Sequence, residues 1–140
     1  MQEDRIKKAV DNFGGGCNCA QAVVAAFADL YGMDEATVRS VAVAFGGGIG
    51  RMRQTCGAAC GMFMLAGMDK SKDGVTDKNE TYKAVQALAR KFKEENGSLN
   101  CGELLGLVPV DPPLPKKRPC SMMVETAARL FAEYLANKPK

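Results

Sequence analysis

The sequence predicts an all-α fold, a single compact domain spanning residues 1–140 with about six or seven helices. Apolar residues recur at the three- and four-residue spacing of amphipathic helices, and glycines or capping residues separate these stretches. Five of the six prolines fall between positions 107 and 119, so the rest of the chain is nearly free of helix breakers. With 140 residues, 46% of them hydrophobic, the chain is long enough for one sizeable core and too short for two.

Two helices are expected before residue 32. Apolar residues at helical spacing predict a short amphipathic helix over positions 4–13, which a run of three glycines ends. Asn18 and Gln21 then have the spacing of a capping box, in which each side chain bonds a backbone N–H of the other residue. This pattern starts the second helix at Cys19, and the helix continues to about Tyr31.

A third and a fourth helix are expected on either side of a glycine-rich run. Asp34 can cap a helix over positions 35–45. A short buried strand at its end is the alternative, but no other strand is available to pair with it. After the glycines, Thr55 is suited to cap a helix that begins at Cys56 and reaches about Met68.

The second half of the chain predicts three more helices. Asp77 can open a long helix to about Glu95, and Gly97 ends it in a left-handed cap. A second capping box starts a short helix at Cys101. Positions 107–119 form an irregular surface connector, because they are too rich in proline for a regular element.

The last helix begins where this connector ends. Pro119 takes its favoured first helical position, and Cys120 follows within the first turn. The basic run Lys116-Lys117-Arg118 just before it is interpreted as a solvated loop.

Composition excludes several classes of function. The chain has no histidine, which rules out Cys/His zinc sites, Ser-His-Asp triads and histidine-activated thiols. The net charge is only +3 and no basic stripe is interleaved with aromatics, so we expect no nucleic-acid partner. No stretch is apolar enough for stable membrane insertion, and the first residues lack the pattern of a secretory signal, which predicts a cytoplasmic protein.

Four of the six cysteines share one position in the predicted helices. Cys19, Cys56, Cys101 and Cys120 each fall in a first turn, where unpaired backbone N–H groups stabilise a negative sulfur. Scattered core cysteines have no reason to choose that position. Four thiolates brought together would repel one another, so convergence implies pairing as disulfides or neutralisation by a metal.

An ordered set of short motifs also matches a known family. The motifs are Asn18-Cys19-Ala20-Gln21, Gly46-Gly47-Gly48-Ile49-Gly50-Arg51, Thr55-Cys56-Gly57-Ala58, Asn96-Gly97-Ser98 with Cys101, and Cys120. Together they resemble the C_GCAxxG_C_C family of redox-active proteins over nearly the whole chain. The resemblance implies a small helical domain whose signature cysteines match the four above. A similar domain in split-Soret cytochromes is associated with an iron–sulfur centre, but this chain lacks their haem-binding motifs.

Three functions remain open. The first is a thiol redox protein that exchanges electrons with a partner protein: Cys56 is a low-pKa thiolate, activated by helix dipoles, Arg51 and Arg53, and one of the other three cysteines resolves it. The second is an electron carrier with an iron–sulfur cluster, or a zinc protein, on the same four cysteines. The third is a non-catalytic helical module that forms a homodimer through Ala-, Gly- and Met-rich faces.

The remaining candidates are weaker. Arg51 and Gly57 are candidate cofactor-binding residues, because a glycine run with arginines can cradle an anion; a flexible connector close to the cysteines is the favoured interpretation. Cys17 and Cys60 lie outside the four-cysteine pattern and are either resolving thiols or simple packing residues. The methionines are interpreted as core filler rather than copper ligands.

Overall fold

The computed structural model describes residues 2–110, 114 and 119–138, and it confirms the all-α prediction. Seven α-helices and two short 3-10 helices, Ala28–Tyr31 and Val43–Phe45, form this part of the chain, which contains no β-strand. The α-helices are α1 (Glu3–Gly14), α2 (Cys19–Ala25), α3 (Glu35–Ala42), α4 (Gly57–Lys70), α5 (Lys78–Asn96), α6 (Cys101–Leu104) and α7 (Cys120–Ala136). None of these helices is long and apolar enough to cross a lipid bilayer.

The core is built around α2 and α4, which pack together more extensively than any other described pair of helices. Every residue of α2 except Gln21 is buried, because the helix is almost entirely alanine and valine. Helices α1 and α7 pack on each other and on α2, and α5 covers α4 and α7. At the centre the rings of Phe27 and Phe131 meet edge to face with 5.1 Å between centroids, a favoured aromatic geometry.

Two helices are shorter than the sequence predicts. α2 ends at Ala25 rather than near Tyr31, because the next amides, those of Ala26 and Phe27, bond carbonyls three residues back instead of four. The chain then continues as a 3-10 helix that Gly32 closes in the left-handed region. α3 likewise gives way to a 3-10 helix at Val43, but the choice of helix over strand for this segment is confirmed.

Three predicted helix starts are also corrected. Cys56 is the N-cap of α4 rather than its first residue. Asp77 does not cap α5, since its backbone is left-handed (φ 62°) and its side chain makes no capping bond, whereas a capping residue is normally extended. Pro119 lies just before α7, which begins at Cys120. The left-handed cap at Gly97 is confirmed, and the predicted loop 116–118 lies outside the described residues.

Close packing of α4 on α2 depends on Gly61. A Cβ at this position would lie 2.7 Å from the Ala20 carbonyl oxygen and 3.1 Å from Val23 Cβ. The Ala20 carbonyl oxygen belongs to the backbone of α2 and cannot shift at small energetic cost. A glycine is therefore required where the two helices touch.

We expect Gly61→Ala to lower the free energy of unfolding by about 1–3 kcal/mol, the usual cost of overpacking a core. Gly67→Ala on the same helix is the matched control, because the added Cβ would meet nothing closer than Thr81 Cγ2 at 3.9 Å. The control should raise stability by about 0.5–1 kcal/mol through helix propensity. Urea unfolding followed by circular dichroism measures both changes, and equal effects would contradict the packing role of Gly61.

Candidate functional site

The four cysteines from separate helix starts surround one small cavity. Cys19, Cys56, Cys101 and Cys120 all line a space of about 20 Å³, which is room for roughly one water molecule. The remaining lining residues are Gly47, Gly57, Leu104, Leu105 and Met123. All six cysteines of the chain carry free thiols. The structure therefore brings together sulfurs that lie far apart in the sequence.

Backbone pairing places Cys56 beside Cys101. The Cys56 N–H donates to the Leu99 carbonyl at 2.7 Å, and the Cys101 N–H donates to the Gln54 carbonyl at 2.6 Å. The two bonds flank an antiparallel bridge between Thr55 and Asn100. Thr55 thus joins the two cysteine segments instead of serving as the predicted helix cap.

Side-chain capping bonds position the first turns of α2 and α6, which carry Cys19 and Cys101. At α2 the predicted box is confirmed: the Gln21 N–H donates to Asn18 Oδ1 at 3.0 Å and the Asn18 N–H donates to Gln21 Oε1 at 2.9 Å. At α6 Asn100 accepts from the Glu103 N–H at 2.9 Å. The capping box predicted at α6 is not formed, because the Asn100 N–H donates to the Ser98 hydroxyl at 2.9 Å instead of to Glu103, and that hydroxyl donates to the Glu103 carboxylate at 2.6 Å.

The glycine run forms a closed left-handed loop over the cysteines. Residues 47–51 all have positive φ, including Ile49 at 66°, which is a strained conformation for a β-branched side chain. The loop is held by backbone bonds such as Gly50 N–H to the Ala44 carbonyl at 2.7 Å, and it passes close to the cysteines as the sequence predicts. A Cβ at Gly48 would lie 2.5 Å from the Cys101 Cβ. Glycine is needed there both for its φ and for the close approach.

The Cys56 thiol does not have the lowered pKa that the sequence predicts. The residue is only 5% exposed, and burial raises its pKa to about 12, although the backbone amides of Ala59 and Ala58 act in the opposite direction. The loss of hydration raises the pKa of Cys56 more than the amides of the helix start lower it, because a thiolate buried here would lose its hydration. Cys56 is therefore held as a neutral thiol at pH 7.

Arg53, rather than Arg51, contacts one of the cavity cysteines. Its guanidinium donates to Cys101 Sγ at 3.7 Å. Burial raises the pKa of the half-buried Cys120, and the thiols of Cys19 and Cys101 add to this rise, but Arg53 opposes it. Arg51 is exposed and does not line the cavity, whereas Gly57 does and lies against the Cys19 sulfur.

Comparison with known proteins identifies the family of the chain. A family model with the description "Putative redox-active protein (C_GCAxxG_C_C)" matches residues 17–134. The chain belongs to the C_GCAxxG_C_C family. An uncharacterized protein of Archaeoglobus fulgidus is 31% identical over 151 residues, which cover 97% of this chain and 96% of that protein. No solved structure matches the chain.

Within this C_GCAxxG_C_C fold, the two extra cysteines do not line the cavity. Cys60 is buried one turn after the start of α4, and its thiol faces the Thr55 carbonyl at 3.9 Å. Burial raises its pKa to about 11, with a further contribution from Cys19. Cys17 is half-buried and packs against the core. Their roles as resolving thiols or packing residues stay predictions.

The four cysteines fit a metal in their chemistry but not in their arrangement. Four thiol ligands match the count of a structural zinc site and of common iron–sulfur clusters. Within residues 2–110, 114 and 119–138, however, no three ligating side chains lie close enough to hold a metal ion. Binding one would require the sulfurs to move.

Apolar residues complete the site, and sequence analysis did not assign them to it. Leu104 and Leu105 follow Cys101 at the end of α6, and Met123 lies one turn into α7 after Cys120. Met123 could be assigned to the buried face of its helix by spacing. The contact of Met123 with the cysteine cavity could not be predicted, because this contact depends on how α6 and α7 pack together.

We expect the stability of the reduced protein to fall as pH rises from about 8.5 towards 12. Unfolded chains lose the Cys56 proton near pH 8.5, whereas the folded chain keeps it until its pKa of about 12. In that window the unfolded state binds fewer protons, so one such thiol removes up to about 1.4 kcal/mol per pH unit. Urea unfolding between pH 7 and pH 10.5, under reductant, measures the slope.

The control for this pH dependence is Cys56→Ala. The variant keeps the tyrosines, lysines and other thiols of the protein, so its slope against pH should be shallower by the contribution of Cys56. Parallel slopes for the two proteins would show that Cys56 is not a buried neutral thiol.

Proposed function

We propose that this C_GCAxxG_C_C protein transfers electrons by thiol–disulfide exchange, with the four cavity cysteines as its redox centre. The observation that supports the proposal is that thiols from four separate helix starts line one cavity. Four cysteines used only as packing residues would have no reason to meet. We place this chemistry in the cytoplasm, where cysteines are kept reduced between turnovers.

Cys120 is the thiol that meets the partner. Cys19, Cys56 and Cys101 are buried, whereas Cys120 is half-buried at the start of α7. Exchange requires a thiolate sulfur that can approach an S–S bond. Burial raises the pKa of Cys120, and Arg53 offsets part of that rise. Accessibility thus moves the attacking role from Cys56, the residue favoured by the sequence, to Cys120.

The exchange consists of two balanced displacements. The Cys120 thiolate attacks a partner disulfide, forming a mixed disulfide and releasing one partner thiolate, which takes up a proton. A second thiol of the cavity then loses its proton and attacks the Cys120 sulfur, which releases the second partner thiol. The partner disulfide gains two electrons and two protons, and two thiols of this chain lose them as one S–S bond forms.

Cys101 is the resolving cysteine in this scheme. It contributes with Cys19 to the electrostatic environment of Cys120, and the guanidinium of Arg53 lies 3.7 Å from its sulfur. This hydrogen bond holds a guanidinium donor at the Cys101 sulfur, the atom that attacks in the second step. Cys19 contributes to the raised pKa of Cys56. These two residues form the more buried half of the centre.

We expect iodoacetamide to modify Cys120 and Cys17 before the other four cysteines of the native, reduced protein. Both are half-buried, whereas Cys19, Cys56, Cys60 and Cys101 are buried. Peptide mass spectrometry of samples taken over time gives the order of labelling. Modification of Cys56 ahead of Cys120 would contradict the assigned entry thiol.

Redox titration tests the proposed function. Equilibration of the reduced protein with mixtures of dithiothreitol and its cyclic disulfide, followed by maleimide counting, should show reversible loss of two thiols and a Cys101–Cys120 disulfide. Cys120→Ser should abolish this loss. The matched control Cys17→Ser should retain it, because Cys17 does not line the cavity.

Metal analysis of protein prepared without oxygen distinguishes thiol–disulfide exchange from a metal centre on the four cysteines. Two thiols lost reversibly with no bound metal support thiol–disulfide exchange. Stoichiometric iron or zinc that disappears in Cys101→Ser, with no reversible thiol loss, would overturn the proposal in favour of a metal centre on the same cysteines.

A further inference from the structure

Exposed apolar side chains lie in the segments next to the cysteine cavity. Met52, Leu107 and Val108 are exposed large hydrophobic residues. Together with Arg51, Arg53 and Cys120 they are called the entry face below. Single exposed hydrophobic residues are common, but a group of them around a reactive centre is a mark of an interaction surface.

Backbone bonds show that the entry face is continuous. The Leu107 and Val108 N–H groups donate to the Gly102 carbonyl at 2.8 and 3.3 Å, and the Gly102 N–H donates to the Arg53 carbonyl at 3.4 Å. A Cβ at Gly102 would lie 2.5 Å from Val108 Cγ2 and 3.4 Å from Arg53 Cβ. The segments around residues 53 and 108 therefore meet over α6, next to Cys101.

On the α7 side, Cys120 joins the same surface. It lines the cavity together with Cys101 and Leu105 of the α6 segment, and Arg53 acts electrostatically on its thiol. A partner that approaches Cys120 along the α6 segment therefore contacts the exposed Leu107 and Val108.

The charge at this face is positive. Within residues 2–110, 114 and 119–138, no acidic side chain forms an ion pair with Arg51 or Arg53. Other arginines do pair: Arg5 with Asp29, and Arg129 with Glu95 and Glu133. The Glu103 carboxylate of α6 keeps its charge and is hydrogen-bonded to the Ser98 hydroxyl rather than to either arginine.

We propose that the entry face docks an acidic redox protein, one that presents its exchangeable disulfide among apolar and carboxylate side chains. The proposal rests on the proposed function and identifies the class of partner for the same site. The apolar residues exclude water around the exchanging sulfurs, while Arg51 and Arg53 attract the carboxylates and raise the rate of encounter. In the exchange, the partner disulfide is reduced and the thiols of Cys120 and Cys101 are oxidised, as written above.

Three synthetic peptide disulfides test this charge preference. They share one leaving thiol and a leucine beside the cysteine, and they differ only in flanking residues: glutamates, glutamines or lysines. The initial rate of exchange with the full, reduced chain is measured for each peptide. The glutamate peptide should react fastest and the lysine peptide slowest, by about tenfold at low salt. The difference should largely vanish between about 20 mM and about 500 mM salt because exposed charges are screened.

Variants outside the reacting cysteines locate the effect. Arg51→Gln should slow the glutamate peptide several-fold and leave the glutamine peptide unchanged, since Arg51 is exposed and does not line the cavity. Arg90→Gln is the matched control, an exposed arginine on α5. Leu107→Ser should slow all three peptides alike. Equal rates for the glutamate and lysine peptides, or equal effects of the two arginine variants, would overturn the docking proposal.

Failure of the redox function itself would look different. If the glutamine peptide fails to exchange with the reduced chain, or exchanges equally well with Cys120→Ser, the thiol mechanism is wrong. If that peptide reacts through Cys120 but shows no preference of the chain for acidic flanks, the mechanism stands and the assigned partner class is wrong.

Discussion

Two backbone hydrogen bonds, Cys56 N–H to the Leu99 carbonyl and Cys101 N–H to the Gln54 carbonyl, link the two halves of the cysteine site. They join segments whose helices, α4 and α6, lie far apart in the sequence. Because they fix main-chain atoms, they set the positions of both cysteines before any side-chain packing is considered. The cavity, the contact of Arg53 with Cys101 and the entry face all depend on this pairing.

Burial gives the site its chemical character. Helix-start amides and arginines would by themselves favour thiolates, yet burial holds Cys56 as a neutral thiol with a pKa of about 12. Cys19, Cys56 and Cys101 are buried, whereas Cys120 is half-buried and its pKa, raised by burial, is partly offset by Arg53. The strained left-handed loop from Gly47 to Arg51 closes over the same residues. Strain of this kind is commonly found at functional sites, where the surrounding structure holds it in place.

Most of the helices and one capping box could be predicted because their signals are local. The box at Asn18 and the left-handed cap at Gly97 depend on residues within one turn. The errors arose where local signals competed with packing. Thr55 has the chemistry of a cap, but it pairs with Asn100 instead. Asp77 also has a side chain suited to capping, but its backbone is left-handed and its side chain makes no capping bond.

By itself, the sequence determined the all-α class, the absence of histidine chemistry and the placement of four cysteines at helix starts, since these follow from composition and short-range spacing. Tertiary structure alone decided that the four line one cavity, that Arg53 rather than Arg51 reaches a sulfur, and that Cys120 is more accessible than Cys56. The physical reason is that hydration and contact between distant segments set accessibility and pKa, and neither is encoded in the spacing along one helix.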